Sequence, residues 1–119
     1  MNIEKIQAHY DHAREKHPYF CDMIQPEWLT QEEKDFKIVS TLTELRRQIQ
    51  EQVKRGCVMW DSLLDCELWE AHEAIAIGHP ELAVEECYDA IAVLLRVIDV
   101  LEGRQELGRP ERGDLCHEN

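Results

Sequence analysis

The sequence predicts an all-α fold, an antiparallel helical bundle completed by subunit association. Only four prolines and five glycines occur in 119 residues, and they fall between amphipathic runs, where punctuation belongs. Hydrophobic residues make up 44% of the chain, the content of a globular protein and not of a disordered one. A chain of this length supports one domain. A lone domain this small buries a modest share of its surface, so association would stabilise it.

Residues 2 to about 16 form a first short helix, stopped by His17-Pro18, because the residue before a proline is pushed out of the helical region. The aromatic segment 19–29 is irregular. Thr30 and Glu33 have capping-box spacing and open a second helix, which runs toward Arg55, with room for a break near Ser40-Thr41, and ends at Gly56. Asp61 or Ser62 caps a third helix, about 62–77, closed by Gly78. Pro80 and Glu81 suit a helical first turn, and the fourth helix runs from about 80 to 102, with Gly103 after it. The connection between the last two helices is short, so they lie antiparallel and adjacent. Residues 1–103 make a single helical domain, and the charged stretch 104–119 is expected to be a flexible tail.

Thirteen Lys and Arg against twenty-five Asp and Glu leave a formal charge of -12. That field repels nucleic-acid backbones and anionic membranes, so neither is an expected partner. No stretch has the length of a membrane span, and the opening Met1-Asn2-Ile3-Glu4-Lys5 is not a signal peptide. The five cysteines (Cys21, Cys57, Cys66, Cys87, Cys116) show no CxxC spacing, which suggests a reduced, cytoplasmic protein.

The chemistry lies on the last two helices. At about 100° per residue, Glu67 and Glu70 share a side of the third helix with Leu63, Ala71 and Ala74. Glu86 and Asp89 share a side of the fourth with Leu82, Val93, Val97 and Val100. A solvated acidic face would sit opposite the apolar stripe, whereas these two pairs interrupt it. Like charges in one pocket cannot all stay ionised without compensation. A hard divalent cation, Mg²⁺ or also Mn²⁺, supplies that compensation through oxygen ligands. It would also polarise a phosphoryl oxygen and orient an attacking water. Glu73, at the edge of the sector, is an alternative ligand to Glu67; Glu85 falls outside it and is expected to be solvated.

The chain reads Glu67-Leu-Trp-Glu70, fifteen residues, then Glu86-Cys-Tyr-Asp89, within ELWEAHEA, GHPE and AVEECYDAIAVLLRVIDVLEG. This order and spacing resemble the ExxE-spacer-ExxD pattern of the MazG-like nucleoside triphosphate pyrophosphohydrolases, in the all-α NTP pyrophosphatase superfamily. The resemblance covers about 60–103 best. It implies Mg²⁺ binding by Glu67, Glu70, Glu86 and Asp89, and hydrolysis of an NTP or dNTP to the monophosphate and pyrophosphate. The family often has an acid just before the first ExxE, where this chain has Cys66.

Other residues offer weaker alternatives. Arg96, near the face of Asp89, suits a phosphate contact or an ordinary ion pair with Asp99; Lys54 and Arg55 suit phosphate steering or the helix dipole. Trp60, Tyr19 and Trp28 suit base stacking or core contacts. His9, His12 and His17 are read as surface residues, and His72 lies on the far side of its helix from Glu67 and Glu70. A homodimer or dimer of dimers is expected, because Ile75, Ile77, Ile91, Leu94, Leu95 and Ile98 exceed what one subunit can cover. Two rivals stand beside the nucleotide hydrolase: a catalytically silent helical scaffold, and a same-fold hydrolase of another pyrophosphate-linked metabolite.

Overall fold

The structure, a computed structural model, describes residues 1–20 and 28–104. All its regular elements are helices: α1 (Ile3–Lys16), α2 (Gln31–Lys54), α3 (Trp60–Ala76) and α4 (Pro80–Leu101). Most of the aromatic segment, residues 21–27, and the expected tail from residue 105 onward lie outside the described residues.

The helix ends follow local chemistry. Asn2 caps α1 by accepting a 2.9 Å hydrogen bond from the Lys5 N–H. At α2, Thr30 Oγ1 accepts from the Glu33 N–H at 3.1 Å, and Glu33 Oε1 accepts from the Thr30 N–H at 3.0 Å. The expected capping box is therefore present, and its hydrogen bonds hold the Glu33 carboxyl below the usual carboxylate range. Helix α2 runs unbroken through Ser40-Thr41. The nearby Ser40 and Thr43 hydroxyls fold back onto the carbonyls of Lys37 and Val39 (3.3 and 2.8 Å), so their polar atoms are satisfied without interrupting the helix. Gly56 then adopts φ of 83°, the left-handed conformation that stops α2 at low steric cost.

The start of α3 differs from expectation. It begins at Trp60, and neither Asp61 nor Ser62 caps it; the cap position is Met59, which has no side-chain oxygen. Asp61, one position inside the helix, still accepts from the Ser62 N–H at 2.9 Å, and the same end is braced by Gln52 of α2. Its Oε1 accepts from the Met59 N–H and its Nε2 donates to Ser62 Oγ, both at 2.9 Å. A partner seven residues upstream of the cap position leaves no local signature, which is why the sequence points to the nearer acid and hydroxyl. Gly78 (φ 81°) turns the chain, and Pro80 opens α4 with Glu81 in its first turn, as expected.

Helix α3 is central, packing against both α2 and α4. On one side, Cys66 joins Ile38 and Leu42 of α2 in a core extended by Ile49 and Trp69. On the other, Ala71 and Ala74 meet Ala83 of α4, small residues that let the two helices approach closely beside their connecting turn. Helix α1 buries no residue. Ile75, Ile77, Ile91, Leu94 and Ile98 are all more than two-fifths exposed in the single chain, which is far from the burial expected of a finished core. No helix among the described residues is long and apolar enough to cross a membrane. Cys66 and Cys87 are free thiols.

Candidate metal centre

The buried positions of α4, Ala83 and Ala90, and its half-buried Glu86, Val93, Val97 and Val100 are spaced by three or four residues. That spacing lays one seam along the helix. Glu86 sits within this seam, facing α3. Glu67 and Glu70 are also half-buried, one helical turn apart on α3. The antiparallel pairing of the two helices brings them together: one carboxylate oxygen from each of Glu67, Glu70 and Glu86 lies within 4.8 Å of the others.

Electrostatics follow from this crowding. Burial pushes the Glu67 carboxyl up to about 8, helped by a hydrogen bond with Glu86 and by the charges of Glu70, Glu86 and Asp89. Glu67 is thus the carboxyl that keeps its proton at neutral pH, because partial burial, first, and the negative charge around it oppose its ionisation. No Lys or Arg pairs with Glu67, Glu70 or Glu86 among the described residues. The donor set is all carboxylate oxygen on rigid helices, which fits a hard divalent cation and suits softer metals poorly.

Asp89 lies at the rim. It is exposed and does not belong to the close trio, yet its charge still reaches Glu67. Glu73, the alternative ligand, turns toward α2 and meets Arg46 at 3.8 Å, so the geometry groups Glu67 and not Glu73 with Glu70 and Glu86. Glu85 is exposed, as expected.

One member of the surroundings was undervalued in the sequence. Cys66 is 5% exposed, and its Sγ–H donates to Glu70 Oε1 at 3.0 Å. Burial, with the hydrogen bond to Glu70 second, pushes the thiol up to about 12 and keeps it neutral. The signal was available: residues four apart are neighbours on a helix, so Cys66 sits one turn from Glu70.

The basic and aromatic residues do not converge on the carboxylates. Asp99 pairs with Arg104 at 2.8 Å instead of with Arg96, which is exposed and makes no ion pair among the described residues. Lys54 pairs with Glu51 at 3.6 Å, and Arg55 caps α2. Tyr19 and Trp28 are 91% and 83% exposed, so neither is a core residue in the single chain, and Trp60 is half-exposed at the start of α3. His9, His12 and His17 are exposed, as read from the sequence. His72 stacks on Trp69 with ring centroids 4.7 Å apart, while Lys37 of α2 lies over the Trp69 ring at 5.8 Å. Burial and the Lys37 charge lower the His72 pKa, and its Nδ1 is buried without a hydrogen-bond partner. A shallow depression lined by Leu29, Glu32, Glu33, Phe36 and Lys37 lies at the start of α2 and includes none of the carboxylates.

Comparison with known proteins adds no identification: no family model matches the chain, and no curated protein or solved structure does so either.

Proposed function

We propose that this chain is a Mg²⁺-dependent nucleotide pyrophosphohydrolase that cleaves an NTP or dNTP to the monophosphate and pyrophosphate. The observation that carries the reading is the convergence of Glu67, Glu70 and Glu86 from two helices at half-buried positions, with no cation paired to them. Uncompensated carboxylates at such positions oppose folding, and a bound divalent ion removes the opposition. Glu67, Glu70 and Glu86 hold the ion, and Asp89 at the rim completes the set on the solvent side, where a phosphate chain would arrive. The ion, when bound, supplies Lewis-acid activation of a phosphoryl oxygen and a site for the attacking water. With a net charge of -12, the protein depends on that ion to bring an anionic substrate close. The ExxE-spacer-ExxD resemblance supports the choice of substrate class. Mn²⁺ is the natural substitute for Mg²⁺ in an oxygen-donor site.

The functional unit is a homodimer or dimer of dimers in a cytoplasmic setting. The half-exposed aliphatic residues of α3 and α4 support it, as does α1, which buries no residue among the described ones and leaves Ile3, Ile6 and Tyr10 exposed. A second helical layer over these residues completes an antiparallel bundle.

The test is a panel of nucleoside triphosphates and deoxynucleoside triphosphates assayed for pyrophosphate release with Mg²⁺, Mn²⁺ and EDTA. Metal-dependent release from at least one nucleotide, lost in Glu70→Gln, is the expected result. Wild-type protein that binds Mg²⁺ but hydrolyses no nucleotide would redirect the site to another pyrophosphate-linked metabolite. Wild-type protein that binds neither Mg²⁺ nor Mn²⁺ would leave a helical scaffold.

A further inference from the structure

We infer that Cys66 is a positioning residue for Glu70, tying that carboxylate to the α2–α3 core through a thiol hydrogen bond. The inference rests on the metal-site reading above and assigns a part to a residue outside the acidic motif.

Cys66 belongs to two environments at once. Its side chain is packed with Ile38 and Leu42, the latter 1% exposed, so its position is set by the most buried side chains among the described residues. Its Sγ–H reaches Glu70 Oε1 at 3.0 Å. An ionised carboxylate only accepts hydrogen bonds, so the thiol is the donor and carries its proton. The bond therefore restrains Glu70 without adding charge to a cleft that already holds Glu67 and Glu86. An acid at position 66 would either repel Glu70 or need a proton of its own. The thiol occupies one lone pair of Oε1 and leaves the remaining lone pairs of Glu70 for a cation. Outer partners of this kind fix the orientation of metal-binding carboxylates, and their loss typically weakens metal affinity by about 10-fold or more.

The test compares Cys66→Ala and Cys66→Ser with the wild type by calorimetric titration of Mg²⁺ and by metal-free thermal melts. The Ala variant should bind Mg²⁺ about 10-fold more weakly. The Ser variant, whose hydroxyl still donates, should recover most of that loss even though a hydroxyl suits the apolar core less well than a thiol. A packing role predicts the opposite order, with Ala equal to the wild type in Mg²⁺ affinity and Ser the poorer of the two variants in stability and affinity alike. Wild-type binding of Mg²⁺ with an unchanged affinity in Cys66→Ala overturns this inference and leaves the metal site standing. Failure of the wild type to bind Mg²⁺ at all overturns the metal reading and this inference with it.

Discussion

The protonated Glu67 makes a prediction about stability that is independent of any assay for turnover. In the metal-free protein its carboxyl titrates near 8 instead of near 4.5. Between those values the folded state holds a proton that the unfolded state has released, so stability falls as pH rises. The stabilising effect is complete below about 4.5 and is lost as pH passes through about 8. Taken at face value, that interval corresponds to about 5 kcal/mol. Glu67 is only half-buried, so solvent screening reduces this to about 1–2 kcal/mol. Replacing it by Gln, a neutral side chain of the same shape, removes the linked loss. Metal-free melts in EDTA at fixed protein concentration should show Glu67→Gln close to wild type at pH 5. At pH 8.5 it should melt about 5–10 °C higher, at roughly 5 °C per kcal/mol for a domain of this size. His72 works in the opposite sense, since burial lowers its pKa and protonation at acid pH opposes folding. The difference between variant and wild type cancels that contribution. A difference that does not grow with pH, or a variant less stable than wild type at pH 8.5, would refute a crowded, partly desolvated carboxylate cluster.

Four further outcomes follow from the same geometry. Because Mg²⁺ must displace the Glu67 proton, its affinity should tighten from pH 6 to pH 8.5 with net proton release near neutrality, measurable by calorimetry in buffers of different ionisation enthalpy; pH-independent binding would place the ion elsewhere. Glu86→Gln and Asp89→Asn should abolish hydrolysis while leaving the metal-free fold at least as stable as wild type. A clear loss of metal-free stability together with unchanged turnover would contradict the site. Leu42→Ala should destabilise the protein by about 3 kcal/mol in chemical denaturation, since Leu42 is 1% exposed and anchors the α2–α3 core. Light scattering at micromolar concentration should give at least twice the 14.0 kDa chain mass, and Ile91→Asp should lower it; a monomeric wild type would sink the association.

The sequence was most legible where a feature depends on neighbours within one helical turn. The Thr30–Glu33 box, Gly56, Gly78 and Pro80 each act through atoms no more than a few residues away, and each lies where the pattern places it. The start of α3 also depends on Gln52, a partner on another helix, and there the local pattern found the Asp61–Ser62 bond but not the cap position, Met59. The carboxylate site shows the same boundary. Helical periodicity gives the direction of a side chain around its own axis, and on that basis Glu86 and Asp89 share a sector. It does not give depth, which is set by what the neighbouring helix places opposite. On α4 the seam runs through Ala83, Glu86 and Ala90, so Glu86 faces Glu67 and Glu70, while Asp89 stays exposed at the edge. Glu73 illustrates the converse, because its direction alone left it a candidate until α2 supplied Arg46. An acid pair read from spacing is therefore a statement about two directions. Its division into an inner and an outer carboxylate is a tertiary property, and it gives the two residues different parts. Glu86 is held by packing in the cleft, whereas Asp89 stays in contact with solvent.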